Sequence, residues 1–387
     1  MRRRRRLAVV GIALAVSFGV GTLLMAFSRA TEGPIAATLG RIGTLVGVLE
    51  KRLADRVRAP GRTAALAWLT PYRTDAAWLR DPDVVLLGAY DTGLPHSLEG
   101  VLQLESELGT TFPLMHFYAA WGDKPDQRFP LRELAAIRQL GSIPVLTWEP
   151  WLTDFENTLH PHLPLRSDRD RGGLAAIAAG AYDFYIDAWA AEAARFGTPI
   201  LVRLAHEMND SYRYPWGPHN NRPEEFIAAW ERVVTRFRQR GATNVLWVWS
   251  PHLAYEYVEY YYPGDSLVDW VATGALNYGT VAQWADWYDF EAIFGEKYPQ
   301  LARYGKPIMI AEFGSLAVGG DRGAWYRDAL TDLPRRHTLV KGLMFFNVST
   351  DQTVTLQTLD WSVTGDSLMT RTIREAIAPW APPFTGQ

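Results

Sequence analysis

The chain has 387 residues, enough for one large domain of about 250–300 residues and an appendage. With 48% hydrophobic and 21% charged residues it reads as globular, which excludes a disordered chain. The net charge is −3, but residues 1–30 hold six arginines and no acid, so the rest carries −9. An acidic body argues against a nucleic-acid partner, whose phosphates demand clustered Lys and Arg. The absence of cysteine excludes disulfides, thiolate metal sites and a Cys nucleophile. The 16 Trp, 17 Tyr and 16 Phe can fill a large core or line a groove for flat, partly apolar sugar rings.

In chain order, Arg2 to Arg6 precede residues 7–27, an uncharged run of 21 residues. As a helix this run is about 31 Å long, enough to span a bilayer. The basic flank keeps its start cytoplasmic and exports the body. Ser28-Arg29-Ala30 also fits a cleavage site, although a signal peptide's apolar region is usually only about 7–15 residues. Residues 1–30 are therefore read as a signal anchor or a cleaved signal peptide. The body is then extracytoplasmic, anchored to the plasma membrane through 7–27 or secreted. Residues 31–62 read as a stalk helix, striped by Leu39, Ile42, Leu45, Leu49 and Leu53 and closed by Pro60-Gly61.

Within 63–387, short β-rich runs alternate with amphipathic helical stretches. The expected strands are Val84–Tyr90, Phe112–Tyr118, Ile143–Trp148, Pro199–Ala205, Asn244–Trp249, Trp270–Leu276, Pro307–Ala311 and Gly342–Phe346. Helical patterns cover Leu131–Leu140, Ala175–Arg195, Pro223–Arg240 and Gly323–Leu330. Eight strand–helix units predict a single (β/α)8 TIM barrel. A doubly wound sheet would want a Gly-rich turn after the first strand, and Tyr90-Asp91-Thr92-Gly93 is not one.

Barrel chemistry sits at the C-terminal strand ends. There this chain places His116, Tyr118, Trp121, Trp148, Glu149, His206, Glu207, Asn209, Trp249, His252, Asn277, Tyr278, Glu312 and Asn347. Two apolar strands lead into Glu207 and Glu312, three strands apart, so the carboxyls can face each other across the mouth. Cleavage of a glycosidic bond needs such a pair. Arg203, four residues before Glu207, is expected on the same strand face. His206-Glu207-Met208-Asn209-Asp210 lacks the second His of a zinc protease motif, and no metal is expected.

Arg203-x-x-His206-Glu207-Met208-Asn209 with Trp216-Gly217, and Ile310-Ala311-Glu312-Phe313-Gly314, resemble the two signatures of glycoside hydrolase family 26. The resemblance runs from residue 80 to residue 375. It implies a (β/α)8 retaining endo-β-glycanase without cofactor, acting on β-1,4-mannan or mixed-linkage β-1,3-1,4-glucan. It also implies Glu207 as acid/base, Glu312 as nucleophile, and Tyr278 as the tyrosine bonding the nucleophile. His206, Arg203 and Asn209 are supporting residues. Trp216 is implied as a sugar platform, joined on the same rim by Trp148, Glu149, Trp249, His116 and Trp121 as substrate-binding residues. Tyr212-Arg213-Tyr214-Pro215-Trp216-Gly217 and Trp148-Glu149-Pro150 depart from the mannanase pattern and resemble glucanase-type or envelope members. The alternatives are an idle polysaccharide-binding barrel and a transglycosylase, either one a partner of envelope glycan synthesis machinery.

Overall fold

The computed structural model describes residues 61–281, 285–353, 355 and 357–380. The expected anchor over 7–27, and all of the stalk over 31–62 but its last two residues, lie outside the described residues. Among the described residues no helix is long and apolar enough to cross a membrane.

Eight parallel strands close into a barrel in sequence order. They are β1 (Leu86–Asp91), β2 (Leu114–Ala120), β3 (Ile143–Glu149), β4 (Ile200–Leu204), β5 (Val245–Trp249), β6 (Trp270–Asn277), β7 (Ile308–Ser315) and β8 (Val340–Asn347). Each expected strand is present. β7 runs on past Ala311, so Glu312 lies within a strand rather than just after one. The expected helix over Ala175–Arg195 is two helices, Gly173–Ala178 and Asp183–Phe196. Gly180 between them holds φ +92°, a conformation that L side chains disfavour and that breaks the helical ladder. The helix Pro223–Gln239 follows its sequence signals: Pro223 opens it, and the Glu225 carboxylate accepts the Arg222 backbone N–H at 2.8 Å.

Both faces of each strand are buried, as in any barrel sheathed by helices. The inner face forms one cluster of Leu86, Leu114, Val145, Leu201, Leu246, Trp270, Met309 and Met344. Leu66, Leu69, Tyr72 and Leu79 join it, so the short helices Thr70–Thr74 and Ala76–Arg80 cover one end of the barrel. The Trp270 indole N–H donates to the Leu79 carbonyl at 2.7 Å and ties this cover down. Residues 61–65 are already helical, where Pro60-Gly61 was expected to close the stalk. Arg62 is buried and donates to Glu105 at 3.0 Å, so the body begins before residue 63.

The outer faces pack against the helices in a larger cluster that takes in Trp121, Trp148, Trp189, Trp230, Trp247, Trp249 and Trp325. The tryptophan excess therefore serves mainly the layer between barrel and helices, not a groove.

Candidate active site

Glu312 owes its direction to an irregularity in β7. Against β6, Thr273 pairs Ile310 and Gly274 pairs Glu312, and against β8 the pairing jumps from Ile310 to Phe313. Ala311 belongs to the inner cluster and Phe313 to the outer one. The bulge lets Ala311 and Glu312 both turn inward, where strict alternation would send Glu312 outward.

Around Glu312 the barrel's inner rungs form a connected polar network. The Arg203 guanidinium donates to Glu312 Oε1 at 2.6 Å, and the Tyr118 hydroxyl donates to the same oxygen at 2.8 Å. Arg203 Nε donates to Thr147 Oγ1 at 2.8 Å, and His116 Nε2 meets that hydroxyl at 2.7 Å. Burial alone would raise the Glu312 carboxyl, but the Arg203 charge and these hydrogen bonds override it and hold it far below the usual range. Arg203 and Tyr118 therefore favour the ionised form of Glu312. His116 is pushed down to about 3 by burial and by Arg203, so it stays neutral.

Glu207 is held differently. β4 ends at Leu204, and Ala205 and Glu207 take left-handed backbones with φ 43° and 52°. This kinked turn is fastened by the Glu207 N–H donating to the Ser250 carbonyl at 2.7 Å. Asn209 locks the β4 loop to the β5 loop, donating to the His252 carbonyl and accepting the His252 N–H, both at 2.8 Å. Arg203 thus pairs with Glu312 across the barrel and not with Glu207, because the strand spacing that would align 203 and 207 ends first. Arg213 Nη1 lies 3.2 Å from Glu207 Oε2. Burial nevertheless raises the Glu207 carboxyl; His252 and Arg213 lower it and the Glu312 charge raises it. Two carboxyls at one mouth, one driven up and one down, is the division of labour that an acid and a nucleophile require.

A third carboxyl, Glu149, ends β3. Burial raises it to about 7, and its Oε2 accepts the Trp151 indole N–H at 3.0 Å. Its Oε1 lies 3.8 Å from His206 Nδ1. His206 Nε2 contacts the Tyr214 hydroxyl at 2.9 Å, and burial first, then Arg203, keeps this imidazole neutral.

Several expected site residues sit elsewhere. Trp121, Trp148 and Trp249 are buried in the outer layer: Trp148 stacks on Trp189 at 4.5 Å, and Trp249 meets Tyr262 at 5.1 Å. Trp148 and Trp249 alternate with inward residues on their strands, and none of the three, all fully buried, offers a ring face to the mouth. Trp216 is also buried, stacked under Tyr214 at 4.6 Å with its indole N–H on the His206 carbonyl at 2.7 Å. It shapes the loop rather than presenting a platform. His116 lies beneath the mouth in the Thr147 network. Tyr118 donates to Glu312, and Tyr278 packs edge-on to Trp361 at 4.9 Å. Sequence reasoning missed the roles of Tyr118, Thr147 and Arg213, although Tyr118 was visible at a strand end. Glu207, Asp210 and His252 bring ligand atoms within 4.8 Å of one another, but a cation there would compete with Arg213 for the Glu207 carboxylate.

Residues 180–309 match the family described as glycosyl hydrolase family 26, a span that includes the Glu207 turn. The chain is 29% identical over 312 residues to "Endoglucanase H" of Acetivibrio thermocellus, covering 75% of this chain and 31% of that protein. It is 29% identical over 131 residues to "Mannan endo-1,4-beta-mannosidase" of Bacillus subtilis, covering 32% of this chain and 33% of that one. The chain thus spans about a third of the length of the curated relatives it matches. Among solved structures, a GH26 beta-mannanase from Bacteroides ovatus shares the fold with a TM-score of 0.55 at 17% identity, covering 84% of this chain and 95% of that one. A Bacillus subtilis mannanase does so with a TM-score of 0.52 at 19% identity, covering 80% and 90%. Residues 180–309 thus carry a match to glycosyl hydrolase family 26, and the barrel has the fold of the mannanase structures it is similar to.

Proposed function

We propose that the protein is a retaining endo-β-glycanase that cleaves the β-1,4-linked backbone of a polysaccharide. The observation that carries this reading is the opposed state of the two carboxyls, Glu312 ionised under Arg203 and Tyr118, Glu207 raised by burial. In the first step Glu312 attacks the anomeric carbon while Glu207 gives its proton to the departing glycosidic oxygen. In the second, water attacks the glycosyl ester, Glu207 takes the water's proton, and the Glu312 carboxylate is released. Arg203 and Tyr118 orient the Glu312 oxygen that they share, so the other oxygen is the one available to attack.

The relative matched over the larger share of this chain bears the name endoglucanase, and Glu149 replaces the mannanase-type residue beside His206. Both favour mixed-linkage β-glucan over β-mannan. Release of reducing ends from mannan, mixed-linkage glucan, xylan and cellulose tests this: glucan should be the best substrate, and failure on all four would overturn the reading. The basic flank and apolar run of residues 1–27 support a tether that holds the enzyme outside the plasma membrane. Recovery of a soluble form starting at Thr31 would refute the tether and leave the chemistry standing.

A further inference from the structure

Glu207 and Glu312 stand where their strands end. The opposite end of the barrel, where the strands start, carries a second group of features. A cavity of about 290 Å³ there is lined by Arg80, Asp81, Asp269, Lys306 and Lys341. Asp269 directly precedes β6, Lys306 lies just before β7, and Lys341 is in the first turn of β8 into the barrel. Asp269 is fully engaged: one oxygen accepts Arg80 Nε at 2.9 Å and the other accepts the Trp247 backbone N–H at 2.8 Å. Lys306 donates to the Asp265 backbone carbonyl at 2.9 Å, a neutral partner. Asp81 is then the one acid left in the lining to face two lysines, so the cavity is net positive. In a body that carries −9 such a hollow runs against the trend.

The same end exposes an aromatic ring. In the helix Ala76–Arg80, Leu79 is fully buried against the barrel. Its neighbours Trp78 and Arg80 therefore stand about 100° to either side of it, toward solvent. Trp78 is 54% exposed and meets Tyr72 edge-on at 5.9 Å; the Arg80 side chain is 47% exposed. A tryptophan left in water does nothing for the core. Its amphipathic ring is at home at the headgroup level of a membrane, and Lys and Arg beside it meet anionic headgroups there. The N-terminal segment comes in at this end as well. Arg62 donates to Ser142 Oγ at 3.1 Å, next to the first residue of β3, so the chain that follows the apolar run 7–27 reaches the barrel on this side.

We propose that this end of the barrel docks on an anionic phospholipid membrane, with Trp78 at the headgroup level and Lys306 and Lys341 on lipid phosphates. The inference takes the tether from the function proposed above. The acidic remainder of the body is repelled by the same surface, which favours this orientation over its inverse. Docking turns the Glu207–Glu312 mouth away from the lipid, toward glycan lying outside it.

The chain has no cysteine, so a single introduced one can report position. The full chain is reconstituted into phosphatidylcholine vesicles with and without phosphatidylglycerol. A fluorescent donor is attached at Ala77→Cys in one preparation and at Tyr212→Cys, on the exposed loop after Glu207, in another, with headgroup-labelled lipid as acceptor. In the anionic vesicles energy transfer should be stronger from position 77 than from position 212. This contrast should shrink without phosphatidylglycerol or in high salt. In Lys306→Gln/Lys341→Gln the ratio of docked to undocked molecules, read from donor lifetimes, should fall about 30-fold, the equivalent of about 2 kcal/mol for two charges. Trp78→Ser, at an exposed position, should lower the ratio with thermal unfolding unchanged. Equal transfer from the two positions, or a contrast indifferent to lipid charge, would overturn the docking and leave the tether standing. Lysine-dependent binding of inorganic phosphate alongside that indifference would assign the cavity to a free anion instead. If the chain is recovered as a soluble form starting at Thr31, the tether falls, and flotation of that form with the same vesicles decides the docking alone. Lysine-dependent flotation on anionic vesicles supports it, and no flotation overturns it.

Discussion

Replacing Arg203 by Met tests the electrostatic design of the site. Met fills much of the Arg volume and leaves little cavity, so the change isolates the charge. The Arg203 side chain is 1% exposed and its guanidinium sits 2.6 Å from Glu312. Removing one partner of a buried pair strands the other, at a cost of about 3–5 kcal/mol. In the wild type the folded-state carboxyl is depressed, so its contribution to stability is present above the unfolded value and lost only as pH falls through the folded one. In the variant the Tyr118 hydrogen bond remains, but the Arg203 charge no longer offsets burial, and the carboxyl is expected to rise above its unfolded value. Stability is then retained at acid pH and lost as pH rises. Urea unfolding, followed by tryptophan fluorescence, should show a deficit of about 3–5 kcal/mol near neutral pH. The deficit should shrink by up to about 1.4 kcal/mol per pH unit as the solution approaches the unfolded carboxyl's titration. A deficit of the same size at every pH would refute the account, because it would mean that Arg203 contributes packing alone.

Tyr118→Phe should leave the fold intact and lower kcat by about 10- to 100-fold, since a hydrogen bond to a charged group contributes about 1.5–3 kcal/mol; an unchanged steady-state rate would remove Tyr118 from the nucleophile's support. Arg213→Ala takes away a charge that lowers the Glu207 carboxyl, so the alkaline limb of the kcat/KM profile should move to higher pH. Turnover requires protonated Glu207 and is lost as pH rises through its titration; a limb that stays put would unseat Glu207 as the acid. Trp148→Ala should cost about 3–5 kcal/mol of stability in chemical denaturation with KM unchanged. A raised KM at full stability would instead mean that Trp148 meets substrate.

The barrel was legible because eight apolar runs of strand length alternate with helical stripes, and nothing in the body competes with that period. Glu207 and Glu312 were legible because a carboxylate closing or interrupting an apolar run is costly unless used. The facing of the strand residues was not. Strands of a sheathed parallel barrel are apolar on both faces, so Trp148 and Glu149 read alike as rim residues although one packs outward and the other turns to the mouth. The β7 bulge was equally hidden, since it shows only in the pairing with β6 and β8. Tyr118 and Arg213 act across the barrel and from a loop, where neither a period of two nor one of 3.6 carries information. The left-handed Glu207 turn has no glycine to announce it.

The central claim is that Glu312 forms a covalent ester with the sugar while Glu207 serves as acid and base. A 2-deoxy-2-fluoro glycoside with a good leaving group slows the second step more than it slows the first. Incubation followed by proteolysis and mass spectrometry should find one fluorosugar on the peptide that contains Glu312 and none on those containing Glu207 or Glu149. Label on either of the other two carboxyls, or a first-formed product of inverted anomeric configuration, would contradict it.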